Sequence, residues 1–169
     1  MLVSRSPARR HVKGFTLIEL ITAIVVLAIL VGLALPSFRS FVLNQRIRNA
    51  SFDLMASLTL ARSEAITRAT TVSFTKGSTT WDQGWTVTDG TAPVIQNQEA
   101  YSGLSITDSA SLGAVSYGKD GRPVVPAGTT DPRLTKFTVA PSVAISGVSC
   151  RIISVGLSGV PSSSVGACP

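Results

Sequence analysis

The feature that most constrains this chain is an apolar run from Phe15 to Leu35 that holds a single carboxylate, Glu19. Its 21 residues would span about 31 Å as a helix, close to the hydrocarbon thickness of a bilayer. The other interruptions, Thr16, Thr22 and Gly32, are mild. A charge in hydrocarbon is costly and usually serves a function. Three readings compete. A secretory signal peptide fits the basic residues ahead of the run, but its apolar region is normally about 7–15 residues and carries no carboxylate. A plain single-pass anchor accounts for the length and leaves Glu19 unexplained. Arg39, Arg46 and Arg48, soon after the run, also blunt the charge asymmetry that would orient it. The third reading gives Glu19 a task. If the chain is cut after Gly14, the new amine on Phe15 lies four residues before Glu19, on the same helix face. In a helical stack of such chains, the amine of one subunit meets the Glu19 carboxylate of its neighbour. The buried charge is then paired and sets the register between subunits.

The length of 169 residues suits one domain plus a membrane segment. The net charge of +6 includes a leader bearing Arg5, Arg9, Arg10 and Lys13. Without that leader, 11 basic and 9 acidic residues leave +2, which does not point to nucleic acid. The one histidine, His11, is in the leader, and neither Cys150 nor Cys168 sits in a CxxC or metal-ligand pattern. A structural zinc site is therefore not expected. The two cysteines read as a disulfide closing the C-terminal loop if the domain lies outside the cytoplasm, and as two buried thiols if it lies inside.

The stretch "KGFTLIEL" resembles the prepilin-peptidase recognition and N-terminal helix motif of type IV pilins and type II secretion pseudopilins. The resemblance rests on the basic leader, Gly14, Phe15, Thr16, Leu17 and Glu19, then the apolar run and Pro36. It implies that the peptidase cuts after Gly14 and N-methylates Phe15. It also implies that Phe15, Thr16 and Glu19 serve assembly with other pilin-like subunits. Pro36 removes a backbone donor. Because a helical pattern resumes beyond it, a kink is predicted there.

From Ser37 to about Thr70 apolar residues recur at helical spacing. Ile47, Leu54, Leu58, Ala61 and Ala65 form a stripe, and Glu64 and Arg68 make an i,i+4 pair. Such a stripe needs a partner, most simply a sheet. "ARSEAITRATTVSF", "WDQGWTV" and "VSYGKDGRP" are similar to segments of GspH/FimT-type pseudopilins and minor pilins, and the late cysteine pair fits that family. The expected architecture is α+β and type IV pilin-like, a long N-terminal helix packed on a C-terminal antiparallel β domain. The expected divisions are a cleaved leader over 1–14, a transmembrane helix over 15–36, an amphipathic periplasmic helix over 37–71 and a β-rich domain over 72–169.

Beyond Val72, "TVSF", "WTVTD", "KFTVAPSVAISG" and "CRIISVGLSG" read as strands, for about six or seven in all. Trp81 and Trp85 read as core or hairpin anchors. Asp120-Gly121 reads as a turn. Without a histidine in the mature chain, no Ser-His-Asp or Cys-His site can be built. Asp82, Asp89, Glu99, Asp108, Asp120 and Asp131 make no calcium loop. No catalytic residue, metal or cofactor is expected, and the chain does not read as an enzyme.

The expected function is a minor pilin-like structural subunit of a type II secretion pseudopilus or a type IV pilus. Its expected partners are other pilin-like subunits, prepilin peptidase and the bacterial inner membrane, with the N-terminus cytoplasmic and the globular domain periplasmic. The alternatives are a DNA-binding minor pilin in DNA uptake and a plain membrane-anchored binding module. Some FimT-like proteins carry a Gly-Arg-x-Arg type motif near the C-terminus. Here Gly159 is followed by Val160 and Pro161, and Arg151 is the only basic residue between the cysteines. Arg122, Arg133, Lys136 and Arg151 would have to cluster in space to bind phosphates, and DNA is not expected as a partner.

Overall fold

A computed structural model describes residues 14–124 and 135–168, without the side chain of Pro36. The leader residues Arg5, Arg9, Arg10, His11 and Lys13, and the loop residues Asp131 and Arg133, lie outside the described residues. The chain divides into two compact units, Met1–Phe38 and Arg39–Pro169. One helix, α1 (Leu17–Arg68), contributes to both and continues as a helical element through position 36.

In the second unit the predicted stripe is the buried face. Ile47, Ala50, Leu54, Leu58, Ala61 and Ala65 are wholly inaccessible to solvent. The spacing of three and four residues puts them in one line, and burying that line supplies most of the helix's stability. The helix ends in a Schellman-type arrangement, in which Thr70 N–H donates to the Ala65 carbonyl at 3.3 Å and Ala69 N–H to the Ile66 carbonyl at 3.3 Å. Ala69 sits in the left-handed region at φ 51°. The Glu64–Arg68 pair forms as expected, at 2.6 Å, and Arg68 also reaches Asp89 at 3.0 Å.

The described strands are β1 (Val72–Lys76), β2 (Trp85–Thr88), β3 (Gln96–Gln98), β4 (Leu104–Asp108), β5 (Ala114–Tyr117), β6 (Pro123–Val124), β7 (Lys136–Pro141), β8 (Cys150–Val155) and β9 (Pro161–Gly166). They form two antiparallel sheets, ordered β3-β2-β1-β5-β6 and β4-β7-β8-β9. Nine described strands exceed the six or seven expected. The additions include β3 and β9, whose Gln, Asn and Ser residues show no apolar alternation and which sit at sheet edges.

One core serves both sheets. Phe74 of the first sheet stacks on Trp81 with centroids 4.9 Å apart, and Phe137 of the second meets Trp81 edge-on at 5.0 Å. Both tryptophans are buried anchors. Their indole N–H groups must find acceptors inside. Trp81 Nε1 donates to Asp108 Oδ1 at 3.1 Å and Trp85 Nε1 to Ser57 Oγ at 2.9 Å. The turn after Trp81 is a short 3-10 segment ending at Gly84, at φ 91°. A Cβ there would stand 2.3 Å from the Gln98 carbonyl oxygen, so this turn requires glycine. Asp120-Gly121 closes the β5–β6 hairpin, with Gly118 N–H donating to the Arg122 carbonyl at 2.9 Å.

Candidate assembly interface

The first unit begins with a built helix start. Thr16 precedes the first helical residue, and its Oγ1 accepts from the Glu19 backbone N–H at 3.3 Å. The Leu20 N–H donates to the Thr16 carbonyl at 3.1 Å. Thr16 is therefore the N-cap and Glu19 the third helical residue, the spacing of a capping box. A carboxylate in this first turn also faces the positive end of the helix dipole. Phe15, just outside the cap, and Leu20 occupy the two positions of a hydrophobic staple.

Among the described residues, nothing in the first unit covers this helix. Every described residue from Gly14 to Leu35 is exposed. An apolar surface of that extent exceeds what soluble monomers leave in water and demands lipid or other helices. The 18-residue window has a mean hydropathy of 2.8. One shallow face collects Phe15, Glu19, Thr22, Ala23, Val26 and Leu30. Gly14 and Phe15 lie beside the cap, Phe15 one turn from Glu19. Among the described residues, the ion pairs are those of Arg68, so Glu19 has no cationic partner there.

In the second unit Cys150 and Cys168 are bonded, with Cα atoms 5.1 Å apart. Cys150 starts β8 and pairs in register with Gly166 of β9, so the bond fastens the last strand to a buried one. Of the basic residues that DNA binding would have to gather, Lys136 aligns with Ser154 and Arg151 with Val139. Ser154 and Arg151 are three apart on β8, so Lys136 and Arg151 face opposite sides of the sheet. Arg122 belongs to the other sheet's hairpin. Gly159, at φ 76°, packs where a Cβ would stand 2.3 Å from the Gly121 carbonyl oxygen. It has a fold role. No group of three or more metal-ligating side chains occurs among the described residues.

Several positioning residues escape sequence reasoning. Tyr101 Oη donates to Asp53 Oδ2 at 2.7 Å, and burial followed by that carboxylate holds the phenol's pKa well above the usual tyrosine range. Arg62 Nε donates to the Gly121 carbonyl at 3.0 Å. Asn44 donates to the Gly147 carbonyl at 3.1 Å and accepts from Ser149 N–H at 2.9 Å. Their partners are 48, 59, 103 and 105 residues away, so no local signal marks them.

Comparison with known proteins gives two family matches. Residues 9–35 match the prokaryotic N-terminal methylation motif. Residues 50–159 match type II transport protein GspH. Two crystal forms of the type IV minor pilin FimU of Pseudomonas aeruginosa (strain PAO1) are similar in fold. The P65 form has a TM-score of 0.55 at 18% identity, covering 71% of this chain and 92% of that one. The P21 form has a TM-score of 0.58 at 17% identity, covering 75% and 92%. No curated relative matches the chain with significance.

Proposed function

This chain belongs to the family of type II transport protein GspH, and from that premise we propose that it is a minor pilin-like structural subunit of a type II secretion pseudopilus or a type IV pilus. Prepilin peptidase cuts after Gly14 and methylates the Phe15 amine. Residues 15–36 cross the inner membrane with the leader on the cytoplasmic side, and the domain from Arg39 onward is periplasmic. The Cys150–Cys168 bond supports an oxidising compartment. Filament growth then buries the uncovered helix among other pilin-like subunits.

The observation that carries this reading is Glu19, a carboxylate without a cationic partner among the described residues, on the exposed apolar stretch from Phe15 to Leu35 that lies in the matched methylation motif. A lone chain in lipid bears the cost of that charge. A stack in which the Phe15 amine of one subunit meets Glu19 of the next removes it. The test is Glu19→Val, which should stay membrane-inserted and processed yet drop out of purified or sheared filaments. Recovery at the wild-type level would falsify the pairing.

A further inference from the structure

The inner face of the second sheet ends on a charge. Strand alternation puts Arg151 on the same side of β8 as Ile153 and Val155, both buried in the core. Its cross-strand neighbours are Val139 of β7, wholly inaccessible, and Val165 of β9. A guanidinium in a core-facing row needs an anion or water to replace the solvation it gives up. Arg151 Nη1 donates to Ser163 Oγ at 3.4 Å, a long contact that leaves most of its donors unused among the described residues.

A second guanidinium opens on the same space. Asn44 of α1 pins the chain just before β8, accepting from the Ser149 N–H at 2.9 Å and donating to the Gly147 carbonyl at 3.1 Å. Arg48 is one helical turn beyond Asn44, and Arg151 is two residues beyond Ser149. Either step covers about 6–7 Å, as four residues of helix or two of strand. The two arginines thus meet across one cleft of about 240 Å³, walled on its apolar sides by Phe41 and Val165. No carboxylate lines it. Among the described residues the ion pairs are those of Arg68, so neither arginine has a counter-charge there. Two cations on one cleft favour an anion between them.

The size and walls of the cleft select the anion. Its volume falls below the roughly 300–1,000 Å³ of sites that enclose free small molecules, and suits one inserted side chain. Phe41 and Val165, each 65% accessible, offer apolar surface to a methylene stem. The guanidiniums offer planar forks that match a carboxylate. A nucleic-acid backbone calls for several cations along one face, and this cleft holds Arg48 and Arg151 alone.

We propose that Arg48 and Arg151 form a carboxylate-binding site that takes an acidic side chain of a neighbouring subunit. That the neighbour is a subunit rests on the function proposed above. The chemistry of the cleft does not, and the two arms of the test separate them.

The first arm titrates the full chain in zwitterionic micelles and follows the arginine Nε–H signals by NMR. The probe is N-acetylglutamate methylamide, whose single charge is a side-chain carboxylate. It should shift the Arg48 and Arg151 signals with one shared dissociation constant. The N-acetylglutamine analogue should bind at least about tenfold more weakly, having lost the charge-assisted bonds. Arg48→Gln should abolish the shift of Arg151, and Arg151→Gln that of Arg48, while the indole N–H signals of the buried Trp81 and Trp85 report an intact core. Arg122→Gln, on the other sheet's hairpin, should leave binding unchanged. Independent shifts of the two signals, or none, overturn the site. Tighter binding of dimethyl phosphate makes it a phosphodiester site, and tighter binding of N-acetylglycine a chain-end site; either result overturns the proposal. In the second arm, the chain carrying both Arg48→Gln and Arg151→Gln should be processed and membrane-inserted yet recovered in sheared filaments at a several-fold lower level. Recovery equal to wild type overturns the neighbouring subunit as the source of the carboxylate. Absence of the wild-type chain from filaments overturns the function proposed above and leaves the cleft to be judged by the titration.

Discussion

Glu19 sits where two demands coincide. Its backbone N–H completes the Thr16 cap, and its carboxylate lies in the first helical turn without a cation among the described residues. The two roles separate by substitution. Glu19→Gln keeps a side-chain oxygen at the accepting position of a capping box and removes the charge, so filament incorporation should fall while the first turn stays formed. Thr16→Ala keeps the charge and removes the cap, at a cost of about 1 kcal/mol to the helix start. Amide exchange of Leu17–Leu20 in micelles should quicken for Thr16→Ala and stay near wild type for Glu19→Gln. Equal quickening in both would assign Glu19 to the cap alone. At this scale the sequence was readable where a signal is carried by neighbouring residues, as in the Gly14–Glu19 stretch of the methylation motif. It was mute on Asn44, Asp53, Ser57 and Arg62, whose partners lie on distant segments.

At the scale of elements, the second half of α1 was legible because one period governs it. The stripe predicted from spacing is the stripe that is buried. Leu58→Ala should therefore cost about 2–5 kcal/mol in urea unfolding in detergent, through lost burial and a cavity. The helix end behaves oppositely. Ala69 holds a left-handed conformation that penalises a Cβ. Ala69→Gly should stabilise by roughly 0.5–1 kcal/mol, the relief of that strain less glycine's extra unfolded-state entropy. Destabilisation by Ala69→Gly would show that the alanine methyl packs usefully. Strands with apolar alternation, such as β7 and β8, were equally visible. The edges β3 and β9 were not, because an edge is specified by the backbone hydrogen bonds of its neighbour more than by its own side chains.

The whole molecule depends on contacts that tie remote segments into one core. Phe74, Trp81 and Phe137 bring the two sheets together, and the disulfide holds the last strand to β8. With the cysteines 18 positions apart in sequence, reduction should lower unfolding stability by about 3 kcal/mol. Urea melts with and without reductant measure it. An unchanged midpoint would mean that the pairing of β8 with β9 alone fixes the C-terminus. By itself the sequence determined the N-terminal methylation motif, the apolar run of membrane length, the amphipathic helix and the late disulfide candidates, because each is written in local order or composition. The sheet order, the polar edge strands, the fold role of Gly159 and the seating of the 142–149 loop on Asn44 were decided only in three dimensions. Each depends on which distant backbone groups and side chains the shared core brings within hydrogen-bonding reach.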